Sequence, residues 1–227
     1  MKKTQCIGLV GGLGVGAAVD YYTQLARAAG QQGAELDLVM VNADMERALV
    51  FMEAGDSDGF ARYLAGAIAR LEAAGADFAV IPSVTGNSCA RSLVPISPLP
   101  IASIYKPVAK ELARRGWKRV ALLGTRFVVE SGMFGYVSNA EFVLPHPAEI
   151  ATIHENYIAI ARAGAGTPEQ LRTLTDLAQT LIARENLDAV LLAGTDLSLL
   201  FNESNTDFPH LDCAKLHIEA IARAMLD

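Results

Sequence analysis

The segment RVALLGT at 119–125 resembles CIGLVGG at 6–12, and DAVLLAGT at 188–195 resembles DFAVIPSVT at 77–85. Each is a short Val- or Leu-rich run that ends in a turn of small residues. The intervals match as well: 72 positions separate Gly11 from Ser83, and 70 separate Gly124 from Gly194. Chance accounts for one such pair. Two pairs at nearly the same interval point to a duplicated unit. Such a chain is expected to fold as two similar halves whose equivalent strand ends face one another across a cleft.

The runs alternate with Ala-rich stretches of helical period, the pattern of βαβ units and a parallel sheet. Expected strands are Gln5–Val10, Leu36–Val41, Phe78–Ile81, Ile101–Ser103, Val120–Gly124, Glu141–Leu144 and Ala189–Leu192. Helices are expected over Ala17–Ala29, Asp58–Ala74, Ser88–Leu93, Pro107–Arg115, Ile150–Arg162, Pro168–Glu185 and Ala214–Leu226. Thr167 followed by Pro168 and Glu169 is a good helix start, because proline suits the first helical position.

A net charge of −6 gives no electrostatic footprint for nucleic acid or an anionic membrane surface. The apolar runs are strand-sized, too short to span a bilayer. The opening MKKTQCIGLVGGLG is broken by glycines and reads as a first strand rather than a signal peptide. Three cysteines, Cys6, Cys89 and Cys213, are an odd number without metal-type spacing. That argues against a disulfide framework and for a reducing, cytoplasmic setting.

Strand ends that precede a helix are where α/β proteins bind ligands. Two turns stand out. Gly12-Leu13-Gly14-Val15-Gly16-Ala17 fits G-x-G-x-x-A, the permissive dinucleotide fingerprint, with Asp44 as a candidate ribose acid. The same glycines serve close strand–helix packing, or a backbone cradle for a substrate carboxylate. The other turn, Pro82-Ser83-Val84-Thr85-Gly86-Asn87, places a hydroxyl at a strand end. Ser83 becomes a nucleophile or base only beside a general base, and none is near in sequence. Capping the turn, or donating to a ligand oxygen, is the reading favoured over proton transfer.

Several segments together resemble the aspartate/glutamate racemase superfamily, the pyridoxal-independent amino-acid racemases. They are IGLVGGLG with Asp20-Tyr21-Tyr22, GTRFVVESGMF at 124–134, LLAGTDLSLL at 191–200 and DCAKLHIEAIARAML at 212–226. The stretch 79–100 fits the family's I-P-C-N-T-A-H…I-P pattern without a gap. The resemblance covers nearly the whole chain. It implies an α/β fold of two pseudosymmetric flavodoxin-like parallel-sheet halves, residues 1–103 with 212–227 and residues 104–211, with the active site between them. It also implies a small carboxylic or amino acid as ligand, a homodimer, and no cofactor, neither pyridoxal, metal nor nucleotide.

The departures fall on the chemistry. Family racemases move the Cα proton with two cysteines, whose thiols, near pKa 8.5 when free, tune readily to neutral pH. Here Ser83 stands at the first cysteine position and Gly194 at the second. Val84 replaces the family's Asn, Asn87 its His, Val128 a Thr of the second-half turn, and Asp196 its Glu. Gly11, Gly12, Thr85, Thr125 and Thr195 remain. With Val84, Gly86, Asn87, Gly194 and Asp196, these residues are the expected substrate-binding set, and glycine at 194 is expected to leave space for a larger ligand. Cys6, Cys89 and Cys213 read as core residues, and His217 as a surface or helix-end residue. Ordinary two-thiol racemisation is therefore not expected. The alternatives are a non-catalytic small-acid binder, or an isomerase or decarboxylase with altered chemistry.

Overall fold

The computed structural model describes residues 4–226. The chain divides into two compact units, Met1–Ser103 with Ile218–Asp227 and Ile104–His217.

In the first unit, β1 (Ile7–Gly11) is buried along its whole length, as a strand covered on both faces must be. A glycine turn leads into α1 (Val15–Gln31), which returns to β2 (Leu38–Asn42). The chain continues through α2 (Met45–Glu53), α3 (Ser57–Ala73) and β3 (Phe78–Val80). The sheet is parallel in the order β2-β1-β3. Phe60, Leu64, Ile68 and Leu71 form the apolar stripe of α3, and each is at most 2% exposed. They pack with Val10, Val41 and Ile81 into one core, which fixes the strand ends from below.

Beyond β3 the structure departs from expectation. The helix expected over Ser88–Leu93 is a chain of short pieces: a 3₁₀ turn at Thr85–Asn87, α4 (Ala90–Leu93) and a second 3₁₀ turn at Val94–Ile96. Pro95 enters the second of these turns and stops a longer helix. The strand expected at Ile101–Ser103 is a single bridge, Ala79 to Ile101. α2 was not expected. Asp44 starts it by accepting from the Arg47 N–H at 2.8 Å.

The second unit opens with α5 (Tyr105–Arg115), β4 (Arg119–Leu123), α6 (Arg126–Glu130) and β5 (Glu141–Val143). It continues with α7 (Pro147–Ala163), α8 (Pro168–Glu185), β6 (Ala189–Leu192), β7 (His210–Asp212) and α9 (Cys213–Ala224). Its parallel sheet runs β5-β4-β6-β7. Each unit therefore pairs its second strand on one side of its first strand and its third on the other, the flavodoxin-like order. α8 keeps the expected bounds because Thr167 and Gln170 cap each other at 3.2 and 2.8 Å. The division between the units falls inside α9, at Ile218.

Candidate functional site

In a doubly wound sheet the ligand crevice lies at the carboxyl ends of the two strands between which the order reverses. Here that is the end of β1 and β3 in the first unit, and of β4 and β6 in the second. The candidate residues lie at these ends: Gly11, Gly12 and Ser83–Asn87 in one unit, Thr125 and Gly194–Asp196 in the other.

At the β1 end, Gly12 has φ +85°, and a Cβ there would stand 1.9 Å from the Ala43 carbonyl oxygen. Only glycine fits. Gly11 is pinned to the next strand's exit by the Ala43 N–H, which donates to its carbonyl at 2.9 Å. Asp44, the candidate ribose acid, has its carboxylate engaged as the α2 cap, and its N–H donates to the Tyr63 hydroxyl at 2.7 Å.

Ser83 is buried, and its Oγ accepts from the Gly86 N–H at 3.0 Å. Its carbonyl accepts from the Asn87 side-chain amide at 2.7 Å, and that amide also donates to the Ile81 carbonyl at 3.1 Å. Asn87 thus clasps its own turn. Val84 is buried and Thr85 half-buried. At Gly86 a Cβ would meet Ile81 Cγ2 at 2.7 Å and Leu13 Cδ1 at 2.9 Å, so the two loops close only over glycine.

In the second unit the ends of β4 and β6 approach as closely. A Cβ at Gly124 would lie 2.7 Å from the Ala193 carbonyl oxygen. Thr125 caps α6, its Oγ1 accepting from the N–H of buried Val128 at 3.2 Å. Thr195 and Asp196, each 1% exposed, open a 3₁₀ turn at Thr195–Leu199.

The space expected beside Gly194 is filled. The backbone there is extended, so its conformation does not require glycine, yet a Cβ would stand 2.2 Å from Tyr157 Cε2 and 2.9 Å from Cζ. The Tyr157 hydroxyl donates to Asp196 Oδ2 at 2.9 Å. Burial, and then the Asp196 carboxylate, push the phenol well above its ordinary pKa, so it stays protonated. One helical turn earlier, His154 Nδ1 accepts from the Arg126 N–H at 3.3 Å, beside Thr125. That contact assigns the proton to Nε2, and burial followed by the Arg126 charge holds the ring below its ordinary pKa. α7 thus brings two titratable side chains, three positions apart, to the two strand ends. No local pattern in the sequence marks either residue.

No thiol is activated. Burial, then Asp37, pushes Cys6 up to about 11, and burial pushes Cys89 up to about 12. Cys213 is raised well above its ordinary value by burial and then by Asp212, against the opposing pull of nearby N–H groups that include Gly194's. His217, expected at the surface or a helix end, is fully buried. Among the described residues, no three or more His, Cys, Asp or Glu side chains group as metal ligands, and no helix is long and apolar enough to cross a membrane.

The family model described as Asp/Glu/hydantoin racemase matches residues 10–221. Among similar solved structures is a Yersinia pestis protein named as a candidate Asp/Glu racemase, 21% identical, with TM-score 0.84 over 98% of this chain and 100% of that one. An aspartate racemase homologue from Pyrococcus horikoshii is 21% identical, with TM-score 0.81 and full coverage of both chains. An aspartate racemase from Picrophilus torridus is 22% identical, with TM-score 0.76 over 97% of this chain and 94% of that one. At these identities the structural likeness is one of fold.

Proposed function

Because this chain belongs to the Asp/Glu/hydantoin racemase family, we propose that it binds a small carboxylic or amino acid at its strand-end loops and does not racemise it by a two-thiol mechanism. The observation that carries this reading is the state of the two positions where the family's cysteines are expected. Ser83 Oγ is taken up in capping its own turn, and the place of a side chain at 194 is filled by the Tyr157 ring. Two-base exchange needs an acid and a base on opposite faces of Cα, each tuned near neutrality. Neither serine with no base in its bonding set nor glycine meets that need. The binding groups are, in the first unit, the Gly11-Gly12 turn and the Thr85 hydroxyl, and in the second unit the hydroxyls of Thr125 and Thr195. Ser83 keeps its own hydroxyl proton to donate to a ligand oxygen.

A second reading, an isomerase or decarboxylase with single-proton chemistry, is favoured by one observation. His154, a neutral imidazole, stands at the end of β4 beside Thr125. A cytoplasmic homodimer is the setting proposed for either reading.

Thermal-shift titration with small mono- and dicarboxylates and amino acids tests the binding claim. A ligand at about 100 times its dissociation constant stabilises by about 2.7 kcal/mol, a readable rise in melting temperature. No rise with any member of the panel contradicts it.

A further inference from the structure

We propose that Tyr157 is the specificity-determining residue of the second unit's strand-end site, restricting it to acids with small substituents and excluding aryl and other bulky ones. This rests on the small-acid reading above and names the residue that sets its limit.

Two observations converge. The backbone at Gly194 is extended and open to any residue, so the ring is what stands against a side chain there. The ring also has little freedom to swing aside. Its hydroxyl is held by Asp196, and its body sits in the core with Leu123, Leu192 and Leu197. Gly194 lies two residues beyond the end of β6, next to the point where strand order reverses, so the ring edge that meets it stands at the level of the strand ends. Asp196 fixes the ring and acts through it.

The test uses the full chain and has two readouts. The first compares succinate with phenylsuccinate by calorimetry in the parent, Tyr157→Phe and Tyr157→Leu proteins. Leucine keeps most of the core volume but removes the Tyr157 donor from Asp196, so a cooperative melting transition is required of the variant before its ratio is read. The parent and Tyr157→Phe are expected to prefer succinate, and the ratio is expected to shift at least tenfold toward phenylsuccinate in Tyr157→Leu. An unchanged ratio in folded Tyr157→Leu protein overturns the proposal. The second readout needs no acid. Gly194→Cys is combined with Tyr157→Leu and treated with iodoacetamide under native conditions. The introduced thiol is expected to react at least tenfold faster than the buried Cys6, Cys89 and Cys213, and a thiol that stays unreactive in the folded protein overturns the proposal. If no acid binds any variant, the small-acid reading falls by itself, and thiol reactivity still decides whether Tyr157 closes this position.

Discussion

Tyr157 donates its hydroxyl proton to Asp196 Oδ2 across 2.9 Å, tying the middle of α7 to the turn that follows β6. Both residues are more than nine-tenths buried, so the bond is made where water cannot replace it. Tyr157→Phe removes one donor from a buried carboxylate and is expected to cost about 1–3 kcal/mol. Chemical denaturation at neutral pH measures it, and a variant as stable as the parent contradicts the assignment.

Asn87 is expected to be structural. Its amide holds the Ile81 and Ser83 carbonyls together, and each carbonyl also accepts a backbone N–H, so Asn87→Ala removes two hydrogen bonds without orphaning either acceptor, at about 1–3 kcal/mol for the two. Ser83→Ala removes only the cap on Gly86 and is expected to cost about 0.5–2 kcal/mol. Melting curves for the two variants check both values. A larger loss for Ser83→Ala than for Asn87→Ala reverses the assignment.

Thr85→Val and Thr195→Val are each expected to weaken acid binding by about 1–3 kcal/mol, since a desolvated ligand oxygen loses its partner. Calorimetry with the acid found by thermal shift reads the change. Equal affinity in both variants places the site elsewhere.

The pH dependence of stability follows from α7 and α8. Arg184 grips Glu149 through two bonds, at 2.6 and 2.9 Å, and with the His146 N–H holds its carboxyl down to about 2. A carboxyl lowered on folding stabilises above its unfolded pKa and loses that contribution as pH falls through the folded value. The pair is partly exposed, so about 1 kcal/mol is expected of it. Glu149→Gln is expected to lower stability by that amount at pH 7. The gap between the variant and the parent closes as pH drops from about 4.5 toward 2, the range between the two pKa values. A gap that widens on acidification contradicts the sign.

The repeat was legible because β1, and β4 from Val120 to Leu123, are buried and therefore apolar, which leaves a pattern in sequence. α8 was legible to the residue because its caps are local, Thr167 with Gln170. β7 was missed because His210-Leu211-Asp212 is three residues long and carries no apolar run; pairing with β6 makes it a strand. Tyr157 and His154 were missed for a related reason. Their helix was expected, but which loop each reaches is set by how α7 lies on the sheet, and no local pattern encodes that. The glycine at 194 misled for the same cause: a missing side chain reads as space until the residue that fills it is seen.

The central claim concerns the fate of the Cα proton. Incubating L- and D-aspartate and L- and D-glutamate with the unmodified protein in deuterated buffer, and following the Cα signal by NMR, tests it directly. With Ser83 capping a turn, Tyr157 over Gly194, and all three thiols buried and protonated, exchange at or near the uncatalysed rate is expected, unchanged by cysteine alkylation. Robust exchange that disappears when the cysteines are alkylated contradicts the account and assigns the proton transfer to Cys89 or Cys213.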